Sequence, residues 1–160
     1  MPAAISTRLG LIAGNSRFPL IFAKAAHVAG IPLTVVAHQN ETPEELATLV
    51  ADLTWVRVGE LGKIIATFRA AGVNQAVMAG GISKSGALTN IQPDERGLAF
   101  ISRLPSLQDD VILRGIAQEL ESEGITVVES TRFLTSLLPQ AGILTTQTPT
   151  REQWQDIYFG

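Results

Sequence analysis

Short apolar runs alternate along the chain with stretches whose apolar positions recur every three to four residues, and glycine or proline separates most of them. Leu9 to Ala13 is a continuous apolar run that stops at Gly14. Phe18, Ile21, Phe22, Ala25, Ala26 and Ala29 then fall on one helical face that Gly30 closes, so the first unit reads strand, glycine turn, helix. Leu33 to Ala37 predicts a second strand. Thr42-Pro43-Glu44-Glu45 predicts a helix start with a cap, a proline at the first position and a capping-box glutamate, with Leu46, Leu49 and Val50 facing the core. A third strand, Leu53 to Val58, precedes a helix in which Leu61, Ile64, Ile65 and Phe68 share a face and Gly72 supplies the stop. Ala76 to Ala79 predicts a fourth strand running straight into Gly80-Gly81. From Ile82 to Gln92 the period lapses into a polar loop. Helices over about Pro93 to Leu104 and Asp109 to Glu123 lead to a strand at Ile125 to Val128. Near the end, Thr150-Arg151-Glu152-Gln153 has the form of a capping box, and Trp154, Ile157 and Tyr158 begin an apolar face.

Such alternation predicts an α/β fold: an open, mainly parallel, Rossmann-like sheet with helices on both faces and right-handed crossovers. Residues 1–149 read as one domain and 150–160 as the start of a linker or helix. Composition agrees, since 160 residues suffice for one core, and 46% apolar with 17% charged residues excludes a disordered chain. The absence of cysteine excludes disulfides, thiol nucleophiles and cysteine-ligated metal centres. With a net charge of −3 and scattered basic residues, the footprint for a nucleic-acid backbone is missing. No apolar stretch approaches the roughly 18 residues of a membrane span, and MPAAISTRLG lacks a signal-peptide core, so a cytoplasmic location is expected. A peripheral membrane contact stays open, because apolar patches formed on folding do not show in composition.

In open parallel sheets, ligands sit beyond the carboxyl ends of the strands where the winding direction reverses, here expected between the first and fourth strands. Both of those ends are marked by glycine: Gly14-Asn15-Ser16-Arg17-Phe18-Pro19 after the first, and Gly80-Gly81-Ile82-Ser83-Lys84-Ser85-Gly86 after the fourth. Glycine permits close backbone approach and the helix N-terminus offers amides. Asn15, Ser16, Ser83 and Ser85 add hydrogen-bonding groups, and Arg17 and Lys84 are placed to meet phosphate. The plainer alternative is that Gly14, Gly80 and Gly81 only make turns. Gly10 and Gly14 do not have dinucleotide spacing, Ser16 stands where a glycine is wanted, and Glu41 lies beyond the end of the second strand. An NAD(P)-binding reductase domain and a non-catalytic nucleotide-binding regulatory module remain the alternatives.

His38, at the end of the second strand near Asn40 and Glu41, can reach this crevice as acid, base or donor, or can bond locally as loop histidines often do. His27 suits the free carbonyls at a helix end. Asp109 and Asp110 can hold a divalent cation or a ligand hydroxyl, or can serve, like Ser106, as helix caps. Trp55, Arg57 and Gly59 to Lys63 can contribute another rim at the third strand, but read more plainly as a packed tryptophan and a helix start.

Five segments then fall into a known order and spacing: GLIAGNSRFP at Gly10 to Pro19, AHQNET at Ala37 to Thr42, WVRVGELGKII at Trp55 to Ile65, VMAGGISK at Val77 to Lys84, and QDDVILR at Gln108 to Arg114. Together they resemble the LpxI family, the UDP-2,3-diacylglucosamine pyrophosphatases of lipid A biosynthesis, over nearly all of this chain and in their N-terminal domain only. The resemblance implies that TPTREQWQDIYFG leads toward a C-terminal catalytic domain, which is missing here and holds the acidic residues for metal-assisted hydrolysis. It implies cleavage to UMP and 2,3-diacylglucosamine 1-phosphate by water attacking phosphorus, with Mg2+ or Mn2+ neutralising charge. This domain would then bind the UDP-sugar lipid or its phosphorylated product without supplying the catalytic base, and the chain alone would be inactive. Gly14, Asn15, Ser16, Arg17, His38, Gly80, Gly81, Lys84, Asp109 and Asp110 are the residues expected to line that site. Two positions depart from the family pattern: Ser16 replaces a glycine and Ser85 a proline. A homodimer stays open as a further partner.

Overall fold

The computed structural model describes residues 8–85, 91–134 and 147–159, so Gly86 of the second glycine loop lies outside the described residues. Five parallel strands, β1 (Leu9–Ala13), β2 (Leu33–His38), β3 (Leu53–Val56), β4 (Gln75–Ala79) and β5 (Thr126–Val127), form an open sheet in the order β3-β2-β1-β4-β5. Between them run α1 (Phe18–Val28), α2 (Leu46–Leu49), α3 (Leu61–Ala70), α4 (Glu95–Arg103) and α5 (Asp109–Ser122). A 3-10 turn at Ser130–Phe133 and α6 (Arg151–Phe159) follow β5. The expected architecture is therefore present.

Alternation along the strands assigns the two faces. Leu9, Leu11, Ala13, Val35, Val77 and Ala79 pack beneath α1 and α2, where Phe22 meets Phe133 edge-on with ring centroids 6.1 Å apart. Val36, Val56 and Ala76 face the other way, against Leu61, Ile64, Ile65 and Phe68 of α3, Phe100 of α4 and Leu120 of α5. Strands buried on both sides explain the near-continuous apolar runs. From β1 through β3 the chain steps in one direction with its helices on one face. From β3 to β4 it reverses direction and changes face, so every crossover keeps the same hand. That reversal sets β1 beside β4, with Ala13 opposite Ala79.

Several boundaries differ from the sequence expectation. β3 stops at Val56 instead of Val58 because the Arg57 amide donates to the Glu60 carboxylate at 2.6 Å and Glu60 N returns to Arg57 O, which turns the chain into α3. β5 has two residues where four were expected, pairing only with Gln75 and Ala76. Thr42 caps no helix: α2 is a single turn behind Glu45, and the Thr42 hydroxyl is committed to β1 and β2. α5 starts behind Gln108 without a side-chain cap, so neither Ser106 nor Asp109 has the capping role foreseen for it. Asp94 is a cap that the sequence did not single out. Its Oδ1 accepts from Gly97 N at the start of α4, and its Oδ2 accepts from Lys63 N at the start of α3. At the far end the capping box of α6 is reciprocal, Thr150 N to Gln153 Oε1 at 2.9 Å and Gln153 N to Thr150 Oγ1 at 3.3 Å. Trp154 and Tyr158 stack on each other there, and Tyr158 and Phe159 stay 82% and 97% exposed.

Phe68 is fully enclosed, its ring lying where a Cβ on Gly10 would come within 3.0 Å. Phe68→Ala should cost about 3–5 kcal/mol, read as a lowered midpoint in chemical denaturation. Val28→Ala, at a residue 87% exposed, should stay within about 0.5 kcal/mol of the parent.

Candidate functional site at the glycine-marked strand ends

The two glycine bends lie side by side at the carboxyl ends of β1 and β4, and they are tied to each other. Gly14 N donates to Ala79 O at 2.8 Å, Asn15 N to Gly81 O at 2.7 Å, and Gly81 N to Asn15 Oδ1 at 3.2 Å. No side chain fits between them: a Cβ on Gly14 would lie 2.2 Å from Gly81 O, and one on Gly80 would lie 2.2 Å from Asn15 O. Gly80 also has φ +83°, a region that side chains disfavour.

This contact alters the expected chemistry. The amides of Gly14, Asn15 and Gly81, anticipated as anion donors, are spent between the bends. At the start of α1, Pro19 has no N–H and Phe18 N donates to Ser16 Oγ at 3.3 Å. Ser16 has φ 72°, in the left-handed region that favours glycine. The resources left facing outward are side chains. Arg17 and Lys84 are exposed, and among the described residues neither has an ion-pair partner.

The end of β2 joins the same cluster. Ala13 O accepts from His38 Nδ1 at 2.9 Å and from Thr42 Oγ1 at 2.7 Å, while Thr42 Oγ1 accepts from His38 N at 2.8 Å. With a carbonyl as acceptor, Nδ1 carries the proton and Nε2 is the basic nitrogen. Burial pushes the His38 imidazole below its ordinary range, although the Ala13 carbonyl and the Glu41 charge pull the other way. His38 is therefore a buried tether, neutral at pH 7.

Glu41 is the residue that sequence reasoning undervalued. Its Oε2 accepts from Asn15 Nδ2 at 3.2 Å and from Ser83 N at 2.9 Å, and its Oε1 accepts from Ser83 Oγ at 2.6 Å. Partial burial opposes its ionisation, but the Ser83 hydroxyl and amide and the Asn15 amide outweigh burial and hold the carboxyl below its ordinary range. An acidic residue just beyond a strand end in a parallel sheet was the only available signal.

Asp109 and Asp110 occupy the exposed first turn of α5, where Asp110 pairs with Arg114 at 2.5 Å. Among the described residues no hydrogen bond or ion pair joins them to the bends. His27 sits in the exposed last turn of α1. Two surface concavities of about 500 and 490 Å³ lie elsewhere, one between α4 and α5 around Phe100, Leu104 and Val111, the other around Gly62, Asp94 and Arg96. The described residues contain no group of three or more His, Asp or Glu that could hold a metal ion. No helix among them is long and apolar enough to cross a membrane.

An open parallel sheet with its loops gathered where the winding reverses defines a Rossmann-like α/β domain. Residues 8–137 match the model of the LpxI N-terminal domain, and the chain belongs to the LpxI family. It is 31% identical over 157 residues to the UDP-2,3-diacylglucosamine pyrophosphatase LpxI of Caulobacter vibrioides, covering 94% of this chain and 54% of that protein. The chain thus spans about half the length of the curated relative. Likeness to solved structures is slight: the biotin carboxylase subunit of pyruvate carboxylase has a TM-score of 0.45 at 14% identity, covering 79% of this chain and 24% of the other. For gox2253 the TM-score is 0.47 at 13% identity, covering 91% and 41%. Neither bears on function.

Two outcomes follow from the geometry. Gly14→Ala should cost about 2–3 kcal/mol by forcing the bends apart, whereas Gly30→Ala, with φ +68° but no atom within 4 Å, should cost about 1 kcal/mol; thermal denaturation checks both. Because its folded pKa is depressed, neutral His38 contributes stability that is fully present above the unfolded value of 6.5 and is lost as pH falls below it. An NMR midpoint for His38 below 6.5, and a flatter acid slope of stability in His38→Gln, are the expected readings.

Proposed function

We propose that this chain is the substrate-binding N-terminal domain of a UDP-2,3-diacylglucosamine pyrophosphatase acting in lipid A biosynthesis. The observation that carries this reading is the family match over residues 8–137, a span that includes every residue of both bends. The name of the Caulobacter relative supports the reaction class, hydrolysis of a nucleotide-sugar pyrophosphate. In this reading the products are UMP and 2,3-diacylglucosamine 1-phosphate.

Geometry supports a binding role at the strand ends. Arg17, in the bend after β1, would offer its planar fork to the ligand's phosphate oxygens, and Lys84, in the helical turn that follows the bend after β4, a compact charge, the two bends being held in place by each other. The task of these residues is to hold the pyrophosphate in one orientation. The groups that activate water, and the donors for Mg2+ or Mn2+, belong in this proposal to the half of the protein that the chain does not span. That missing C-terminal domain is the expected partner, and in this proposal the work is cytoplasmic and, because the substrate is diacylated, peripheral to the inner membrane.

Calorimetry with UMP and with 2,3-diacylglucosamine 1-phosphate should give weak saturable heats without turnover of the intact substrate. No heat with either at millimolar ligand would sink the proposal. Arg17→Ala and Lys84→Ala should each weaken binding about tenfold, while Lys24→Ala, exposed on α1, should leave it unchanged.

A further inference from the structure

We infer that Glu41 is a positioning residue of the ligand crevice, whose carboxylate fixes the spacing of the two glycine bends and thereby of the Arg17 and Lys84 side chains that meet the ligand's phosphates. This inference rests on the binding role proposed above.

The carboxylate joins three strand ends that no local signal connects. It comes from the turn after β2 and holds Asn15, 26 residues away, and Ser83, 42 residues away. Its footing is stiff. Glu41 N and Thr42 N both donate to His38 O, at 3.2 and 2.9 Å, and the Thr42 hydroxyl is bonded to β1 and β2 backbone. Asn40, at φ 62°, turns the chain tightly enough for this double bond to form. On that base the bonds from Asn15 and Ser83 tie the carboxylate to both loops.

Each group it holds neighbours a group the ligand needs. Ser83 directly precedes Lys84, and Asn15 lies two residues before Arg17. The backbone bonds from Gly14 N to Ala79 O and from Asn15 N to Gly81 O set how closely the bends approach at their base. Glu41 sets the next layer outward, where the cations stand. The two Ser83 bonds pin both the amide and the side chain, which leaves Lys84 a defined starting direction. Ionisation of Glu41 is sustained by the same three donors, so the clamp is in its acceptor form at neutral pH.

The core does not depend on this clamp, which separates positioning from folding. In Glu41→Ala the Ser83 amide should exchange with deuterium about tenfold faster, while Val35 and Val77 amides in the central strands exchange as in the parent. UMP binding by calorimetry should weaken about tenfold in the same variant. Adding Lys84→Ala to it should cost less than Lys84→Ala costs alone, because the two changes disable one arrangement. Glu41→Gln retains an oxygen for the Ser83 amide and should recover most of both losses. Unchanged Ser83 exchange, parent-like UMP affinity in Glu41→Ala, or full additivity with Lys84→Ala would each overturn the inference. A parent chain that binds no UMP would overturn the binding role itself, and the exchange measurement would still decide whether Glu41 fixes the bends.

Discussion

The contact on which the top of the molecule depends is backbone against backbone, where β1 and β4 leave the sheet. Two backbone bonds, Gly14 N to Ala79 O and Asn15 N to Gly81 O, link the bends, and Gly81 N adds a third to the Asn15 side chain. Each contributes only about 0.5–1.5 kcal/mol net. Their importance is geometric: they form only when the chains approach more closely than any Cβ allows. Two loops that would otherwise be independent then behave as one platform at the carboxyl ends of β1 and β4.

That platform extends to β2 through a single carbonyl. Ala13 O accepts from both His38 and Thr42, so both of its lone pairs are used and the turn after β2 is anchored to β1. Burying an imidazole is tolerable when it is neutral and hydrogen-bonded, which is the state that burial favours here. The anchor commits Nδ1 of His38 to the Ala13 carbonyl and leaves Nε2 as the basic ring nitrogen. Glu41, on the far side of the same turn, is freed from local bonding to reach the other two loops.

Local patterns were legible and distant partnerships were not. β1 was readable to the residue, because a five-residue apolar run ended by glycine has one local interpretation, and the face of α3 followed from its spacing. The face of α1 followed only in part: Phe22 and Ala26 are buried as expected, but Leu20 and Ala23 join them while Ile21 is 45% exposed and Ala29 is exposed. The capping box at Thr150 and Gln153 was legible for the same reason: both partners lie within one turn. Thr42 had an equally good local signature, Thr-Pro-Glu-Glu, yet its hydroxyl went to Ala13, 29 residues back, since a buried carbonyl with spare acceptor capacity outcompetes a solvent-exposed cap. The switch point could be inferred from the βα alternation. That the bends would consume one another's amides could not, because that depends on strands whose adjacency is settled by topology and not by sequence distance.

The disposition of charge gives the remaining reason to look for an anion at the strand ends. On the face covered by α3, α4 and α5, cations are neutralised in place: Arg96 bonds Glu119 and Glu123, Arg69 bonds Glu123, and Arg103 bonds Glu119. Such a network tightens helix packing and leaves little field outside it. At the bends the arrangement is different. Glu41 is within reach of cationic loops, yet it takes its bonds from a serine and an asparagine, and Arg17 and Lys84 remain without carboxylate partners among the described residues. A carboxylate satisfied by neutral donors does not consume the cations beside it. The acid at this site thus orders the loops while leaving their positive charge available to a phosphate, a division of labour that a direct salt bridge would have abolished.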